Sequence, residues 1–537
     1  MTVATVSRFG SCWPTSSAGL TEANQLVFSA VLPSAFRIDP SGQPVLDTDV
    51  FSQVEVTATS PLTVTYSFNP KAVWDTGERI GPADLIAAWH RGTTLQLPTA
   101  PGYRLIAGIT SSRDGEQASV VFTSAYADWR SLFANLQPAS VVEAPERPCA
   151  LPTDAVDAAG GPFRIASASS NAVTLTRNPR WWGTPAALDR LVVRTAPSAS
   201  VAAAWVLHNV AQVTDVAPVE VAALRGAGQA AAVTSSVSQS PAMLQLLFSS
   251  HRGPGSITEV RRAIAGAISP PLVGEAVSGP VTTDFGVATS ALSANLATSA
   301  SGTDLRANRP FPTSSTTTTA PTPAPTTTTT IPAGTGLPAA GFHLLHGRWV
   351  DASHRPLRLR LAFDPTVPSM VTAVRSVIDQ VAAAGVTLVP VPSASPAALL
   401  FVGSVDAAIL ARQGTPYVSQ SAAWWTLDVA GASPLDNPTR VDVPAVNAAF
   451  TLAQTQLNPV DAAATYHEID RRLAVSPVVV PLVTIPRLRL QRSHLSRVVP
   501  NPWGPWCTAQ AGSWQILVPV GVGDPTTPIL GANQTSS

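Results

Sequence analysis

Apolar and polar positions along this 537-residue chain change their period several times, and each period predicts a different element. Tyr66 and Phe68 alternate with the polar residues Ser67 and Asn69. A repeat of two residues is typical of a strand with one buried face. The alternation therefore predicts a half-buried strand at this point of the chain.

The residues that follow predict a tight turn and then a helix. Asp75, Thr76 and Gly77 favour the turn, because Asp can hydrogen-bond its own backbone and Gly adopts a positive φ without steric cost. Gly81 and Pro82 favour a helix start, since proline suits the first helical position. The buried face of this helix is expected to contain three apolar residues, Leu85, Ile86 and Trp89.

Strand and helix periods alternate in two later regions. We expect strands at 188–194 and 213–216 on either side of a helix at 202–210. The same order returns as a strand at 357–363, a helix at 369–384 closed by Gly385, and a strand at 386–391. Such alternation predicts parallel β-α-β packing.

Two further helices are expected from local pattern. The segment from Trp129 to Leu136 is predicted to form a short helix. The segment from Thr258 to Ile268 is predicted to form a helix capped by Thr258, and the prolines that follow should end it.

Length and charge narrow the class of protein. A chain of 537 residues is too long for one ordinary core, so two or more lobes are expected. Basic and acidic residues balance at 33 each, so the chain lacks the excess of basic residues that is typical of nucleic-acid-binding proteins. No apolar run reaches about 18 residues, so no membrane-spanning segment is expected.

The stretch 312–336 departs from every pattern around it. Threonine and proline dominate it, and such a composition buries too little apolar area to offset chain entropy. We expect a disordered insertion here.

The stretch from 66 to 92 resembles the signature segment of the family 5 extracellular solute-binding proteins. The resemblance is carried by Trp74, Asp75, Thr76 and Gly77, and then by Gly81, Pro82, Ala83 and Asp84. Other family signatures are resembled, in the family's order, by residues 160–165, 173–183, 258–268, 357–391, 405–407 and 461–483.

This resemblance implies an α/β, two-lobed, periplasmic-binding-protein-like fold of the large peptide-binding class, with a hinge. The implied first lobe covers 1–235, with a subdomain at 45–155. The implied second lobe covers 236–474, contains the insertion and is followed by a return to the first lobe at 475–537.

The resemblance also implies where a ligand would bind. The segment from Trp425 to Asp428 keeps the spacing of a family motif whose aspartate pairs with a peptide amine, so Asp428 is either an amine anchor or a capped structural residue. Five tryptophans are candidates for the cleft, although each could instead fill the core or the hinge: Trp13, Trp424, Trp425, Trp503 and Trp506.

This resemblance implies that the protein captures a peptide or another elongated solute and delivers it to an ABC permease. It also implies a monomer without a cofactor. An alternative comes from the segment 31–37, the tryptophan-rich C-terminus and the weakened amine-anchor motif, which resemble the actinobacterial branch that includes the mycobacterial lipoprotein LpqW. That branch is linked to regulation of cell-envelope glycolipid synthesis. No enzyme motif occurs, and His343 and His346 lack the acidic neighbours of a metal site.

The first residues, MTVATVSRFGSC, lack the basic and apolar regions of a signal peptide. Taken literally they predict a cytoplasmic protein, whereas the resemblance implies an extracellular, cell-surface or periplasmic one. We therefore expect that an export segment is missing from this sequence. The cysteines Cys12, Cys149 and Cys507 allow at most one disulfide, and three pairings remain open.

Overall fold

Through most of the chain, strands and helices form where the periodicity of the sequence predicts them. The computed structural model describes residues 1–10, 14, 21–94, 100–143, 159–217, 232–278, 292, 336–427, 436–498, 501, 503 and 515–516. Residues 312–335 of the predicted insertion and the three cysteines lie outside these residues.

The strands, numbered along the chain, are β1 Thr2–Thr5, β2 Phe36–Ile38, β3 Pro44–Leu46, β4 Phe51–Thr59, β5 Leu62–Phe68, β6 Ile106–Ser111, β7 Gln117–Phe122, β8 Phe163–Ala168, β9 Ala172–Arg177, β10 Arg190–Thr195, β11 Val213–Val216, β12 Val233–Phe248, β13 His343–Leu345, β14 Arg348–Val350, β15 Arg358–Phe363, β16 Thr387–Pro392, β17 Ala407–Gln413, β18 Val479–Arg492, β19 Leu495–Ser496 and β20 Gln515–Ile516.

The α-helices are α1 Glu22–Val31, α2 Pro82–Thr94, α3 Ala100–Arg104, α4 Ala139–Val142, α5 Ala199–Leu207, α6 Thr258–Ala267, α7 Pro270–Ser278, α8 Pro368–Ala383, α9 Pro396–Phe401, α10 Pro444–Thr455 and α11 Pro459–Val475. Short 3-10 helices lie at Trp129–Ser131, Pro254–Ser256, Leu337–Ala340 and Val418–Trp424.

One ten-stranded sheet runs through both lobes in the order β16-β15-β17-β12-β18-β11-β1-β10-β9-β8. The first lobe is built around β1, which lies parallel to both β10 and β11. A four-stranded sheet, β4-β5-β7-β6, belongs to the same lobe. The second lobe is built around β15, which lies parallel to β16 and β17. These pairings confirm the predicted two-lobed α/β fold and both β-α-β units.

Two long antiparallel strands, β12 and β18, cross from one lobe to the other. Residues 233–239 of β12 pair with 492–486 of β18 beside the first lobe, and residues 243–247 pair with 484–479 beside the second. The register shifts between Gln239 and Met243, and again between Leu244 and Gln245. Because a register shift disrupts the hydrogen-bond ladder, bending of one lobe against the other would concentrate here.

The strand, turn and helix that the sequence predicts at 66–92 are confirmed. Side chains of β5 alternate between buried and half-buried positions. Gly77 adopts φ +95° in the turn, and its N–H donates to the Trp74 carbonyl at 2.8 Å. Helix α2 begins at Pro82, as expected.

Asp84 joins this unit to the rest of the first lobe. It is buried and accepts hydrogen bonds from the Gly81 N–H at 2.9 Å, the Ala139 N–H at 2.8 Å and the Trp74 indole N–H at 3.3 Å. Burial nevertheless raises the pKa of this carboxyl above its ordinary value. The aspartate therefore holds the turn against the helix start.

Two local predictions need correction. The predicted helix from Trp129 to Leu136 is a single 3-10 turn, because Phe133 and Asn135 take left-handed conformations with φ of 59° and 49°. Thr258 does not cap helix α6 but is its first residue, and its hydroxyl accepts from the Arg261 guanidinium at 2.9 Å.

No helix among the described residues is both long and apolar enough to cross a bilayer.

A buried ion pair lies where β18 meets the first lobe. Asp215 on β11 faces Arg489 on β18, and two guanidinium N–H groups donate to the two carboxylate oxygens at 2.9 Å. Both side chains are only 4% exposed. Arg489 also donates to the Val498 carbonyl at 3.3 Å. The pair therefore fixes the first-lobe end of the crossing strand.

We expect the Asp215→Ala substitution to lower the free energy of unfolding by about 3–5 kcal/mol, because it leaves a buried guanidinium without its carboxylate. The matched control is Asp189→Ala, since Asp189 pairs with Arg177 but its side chain is 88% exposed. That change should cost less than about 1 kcal/mol. Urea unfolding of both variants tests the pair, and equal losses would contradict a special role for it.

Candidate functional site

A cavity of about 400 Å³ lies between the two lobes. Its first-lobe wall comprises Ser41, Gly42, Gln43, Pro44, Ala127, Asp128, Arg130 and Trp503. Its second-lobe wall comprises Thr415, Pro416, Tyr417, Val418, Gln456, Leu457, Pro459, Ala462, Ala463 and Tyr466. A cavity lined by two lobes that share crossing strands changes shape when the lobes move.

Buried aromatic packing positions the charged residues of the first-lobe wall. Trp129 is buried, and its ring meets the Phe36 ring edge-on at a centroid distance of 5.5 Å. The Arg130 guanidinium lies 4.2 Å from the centre of the Trp129 ring. Because Trp129 is anchored in this way, the neighbouring Asp128 and Arg130 are presented at the cavity.

The second-lobe wall is built from the segment after β17 and from helix α11 with the connection before it. Asn458 caps α11 by accepting from the Val460 N–H at 3.0 Å, and Pro459 takes the first helical position. Gln456 accepts from the Thr465 hydroxyl at 2.8 Å. These contacts fix the helix face that carries Tyr466 into the cavity wall.

Direct hydrogen bonds join the lobes beside the cavity. The Ser419 N–H donates to Asp128 Oδ2 at 3.1 Å, and the Ser419 hydroxyl donates to the same oxygen. We call these two bonds the interlobe latch. The Tyr417 hydroxyl also donates to the Arg130 carbonyl at 3.0 Å. The structure therefore shows the lobes in contact, in a closed arrangement.

The carboxyl of Asp128 is in an unfavourable electrostatic environment for a charge. Burial raises its pKa from the ordinary 3.8 to about 6, even though both bonds from Ser419 act in the opposite direction. Desolvation of the charged form therefore outweighs the stabilisation that the latch donors give it.

The chain contains five tyrosines, of which Tyr417 and Tyr466 line the cavity and the other three lie in the buried core of the first lobe. Burial raises the pKa of each phenol, and each interacts electrostatically with Asp128 or with another member of the group. The members are Tyr66, Tyr103, Tyr126, Tyr417 and Tyr466. They remain neutral at physiological pH and can act as hydrogen-bonding groups.

Sequence reasoning missed Asp128 and the tyrosines. A local signal was present, because the run from Tyr126 to Trp129 places an acidic residue between two aromatic ones. The second-lobe partners could not be inferred, since Ser419 lies 291 residues further along the chain.

Of the tryptophans proposed from sequence, Trp503 lies at the cavity. The backbone N–H of Trp503 donates to the Asn501 side-chain oxygen at 3.0 Å, and the Asn501 side-chain amide donates to the Ile38 carbonyl at 2.6 Å. The indole packs so closely on Gly42 that a Cβ there would lie 2.8 Å from it. Gly42 also has φ +87°, so glycine is needed at this contact for two reasons.

The other proposed site residues are not brought to this cavity among the described residues. Trp425 is 1% exposed and belongs to the core of the second lobe. Trp424 packs on the same core, with the Arg412 guanidinium 4.6 Å from its ring centre. The remaining three, Asp428, Trp13 and Trp506, lie outside the described residues, and their roles stay predictions.

Comparison with known proteins places the fold and the site in context. The family model for the bacterial extracellular solute-binding proteins, family 5 Middle, matches residues 49–433, which is well over half of the chain. The chain belongs to this family. The family expected from the sequence is therefore confirmed.

Two mycobacterial proteins have similar sequences. The oligopeptide-binding protein OppA of Mycobacterium tuberculosis is 36% identical over 174 residues, which cover 31% of this chain and 29% of OppA. The probable monoacyl phosphatidylinositol tetramannoside-binding protein LpqW of the same species is 29% identical over 283 residues, which cover 49% of this chain and 44% of LpqW. The chain thus matches less than half of the length of either relative.

Solved structures show the same fold as this family 5 chain over almost its whole length. The periplasmic EDTA-binding protein EppA has a TM-score of 0.81 at 20% identity, with 96% of both chains covered. The oligopeptide-binding protein AppA from Bacillus subtilis, in complex with a nonapeptide, has a TM-score of 0.72 at 11% identity. That comparison covers 96% of this chain and 98% of AppA.

We expect the Ser419→Ala substitution to open the ligand-free protein, because it removes the hydroxyl donor of the latch and leaves the Asp128 carboxylate with one donor fewer. A hydrogen bond of this kind is worth about 0.5–1.5 kcal/mol, so the ratio of closed to open molecules should fall several-fold. Small-angle X-ray scattering measures this as a larger radius of gyration. Ser353→Ala, at an exposed serine of the same lobe, is the control and should leave the radius unchanged.

The closed arrangement should become more favourable as pH falls from 7 to 5. Asp128 has a pKa of about 6 when closed and, once exposed to water in an open arrangement, would return towards 3.8. The closed state therefore binds the additional proton and is stabilised as pH falls through about 6. Scattering of the ligand-free protein across this range should show compaction. An equal compaction of Asp128→Asn would contradict this assignment.

Proposed function

We propose that this protein is an extracellular solute-binding protein that captures a peptide or a similar elongated solute between its lobes and delivers it to an ABC permease. The cavity of about 400 Å³, which is lined by residues of both lobes, supports this proposal most strongly. The strands β12 and β18 connect these lobes through a break in their pairing. Membership of family 5 supports a role in binding rather than catalysis.

Closure would be coupled to binding because a solute in this cavity contacts both walls at once. A ligand shifts an equilibrium only by its difference in affinity between the two states. In an open arrangement the second-lobe residues, such as Tyr417 and Tyr466, would move away from Asp128. The solute would therefore bind the closed arrangement more tightly and select it.

A permease partner and a site of action outside the cytoplasm follow from the proposed role. A binding protein that closes on its solute presents a distinct surface in the loaded state, and the permease could recognise that surface. Trp503 would contribute an apolar wall to the cavity, and Asp428 remains a further ligand-binding candidate. A monomer is sufficient, since both cavity walls come from one chain.

A second candidate is a binding protein for a mannosylated phospholipid that acts in envelope glycolipid synthesis. The observation that favours it is the match to LpqW, which extends over 49% of this chain against 31% for OppA. LpqW is named as a probable monoacyl phosphatidylinositol tetramannoside-binding protein, whereas OppA is named as an oligopeptide-binding protein. The two candidates therefore differ in ligand chemistry rather than in fold.

Native mass spectrometry of the purified protein, before and after mild unfolding, tests the proposal directly. We expect a set of released masses that fit short peptides. Released masses that fit a mannolipid would favour the second candidate. Protein that releases nothing and retains no peptide after incubation with a mixed peptide pool would contradict capture of a peptide.

A cavity-filling variant links the released ligand to this site. Ala463 is 7% exposed and lines the cavity on α11, so Ala463→Phe should displace the ligand while the fold is retained. Ala464 is the next residue of the same helix and is exposed, so Ala464→Phe is the matched control. Equal ligand retention by both variants would contradict binding in this cavity.

A further inference from the structure

The described residues that line the cavity include two charged side chains, Asp128 and Arg130. The Arg130 side chain is exposed, and its guanidinium lies over the Trp129 ring at 4.2 Å and near the Phe36 ring at 5.9 Å. Two aromatic faces thus already stabilise the positive charge. The negative charge of Asp128 has no such compensation, because no described basic side chain forms an ion pair with it.

One carboxylate oxygen of Asp128 accepts hydrogen bonds from the described residues, and the other does not. Both latch bonds from Ser419 go to Oδ2. In the described part of the chain, no donor is hydrogen-bonded to Oδ1. A partly buried carboxylate with a free oxygen at a cavity is stabilised by a cation that enters that cavity.

Tyr466 supplies a second group at the same place. Its side chain is 5% exposed and belongs to the cavity wall. Its hydroxyl has no hydrogen-bond partner among the described residues. An unpaired buried hydroxyl is costly, and the phenol interacts electrostatically with Asp128. A ligand N–H group between them could therefore donate to the carboxylate and to the phenol oxygen.

We propose that Asp128 and Tyr466 form a subsite for a cationic nitrogen of the ligand, such as an ammonium group. This inference rests on the proposed function and adds one chemical requirement for the solute. The two residues come from different lobes, so a nitrogen bound by both would join the lobes in addition to the latch. The subsite is separate from Asp428, which the sequence favours as the amine anchor.

Among the described groups at this subsite, Asp128 is the one whose charge changes between pH 5 and 7. The phenols that face it belong to Tyr126, Tyr417 and Tyr466, and burial raises the pKa of all three, so they stay neutral. Arg130 stays positive across this range. Binding of a cation should therefore weaken as pH falls through about 6, which is opposite to the response of the ligand-free protein.

Competition between two peptide pools tests the subsite. One pool contains tetrapeptides without lysine or arginine and with free amino termini, and the other contains the same peptides after N-acetylation. Native mass spectrometry at pH 7 measures how much of each pool the protein retains. The wild-type protein should prefer free amines by about tenfold or more, as expected for a buried charge pair.

Substitutions of the two residues should reduce this preference to different extents. Asp128→Asn keeps an acceptor for Ser419 but removes the charge, so the preference should fall close to one. Tyr466→Phe should reduce it several-fold. Ser419→Ala weakens the latch but retains the carboxylate, and it should keep the preference. Loss of the preference in Asp428→Asn but not in Asp128→Asn would overturn the proposal.

The remaining outcomes separate the subsite from the proposed function. Equal retention of both pools by the wild-type protein would overturn the subsite and leave peptide capture intact, whereas retention of neither pool would overturn both. If Asp128→Asn fails to fold, the wild-type protein still decides the question. Its preference for free amines should fall from pH 7 to pH 5, and a constant preference would overturn the proposal.

Discussion

The pairing of β12 with β18 is the constraint on which the arrangement of both lobes depends. Each strand is long enough to contribute to the sheet on both sides, and the register shift between Gln239 and Met243 separates the two halves. The Asp215–Arg489 ion pair fixes the first-lobe side of this connection. The lobes can therefore keep their own packing while the angle between them changes, and a cavity forms where they meet.

Closure of the lobes creates the electrostatic problem at Asp128. Second-lobe groups cover the carboxyl and remove water from it, and the two bonds from Ser419 do not fully compensate. A solute with a suitable cationic group would relieve that cost, whereas an empty cavity would not. In this account, the same burial that disfavours a charge in the ligand-free protein makes the site selective for its ligand.

Local structure could be predicted from the sequence where local interactions determine it. The β15-α8-β16 unit follows from periodicity and from Gly385, which takes φ +82° at the helix end. The helix predicted after Trp129 fails because distant groups hold this segment. The Phe133 N–H donates to a tyrosine hydroxyl 30 residues away, and the Asn135 N–H donates to a serine 101 residues away. Asp128 was missed for the same reason, since its burial comes from the other lobe.

A crystal structure of the protein with a bound tetrapeptide that has a free amino terminus tests most directly whether the interlobe cavity holds the solute, with a cationic nitrogen between Asp128 and Tyr466. We expect peptide density in the cavity, with the terminal nitrogen within hydrogen-bond distance of Asp128 Oδ1. Peptide density elsewhere, with water alone in this cavity, would contradict it.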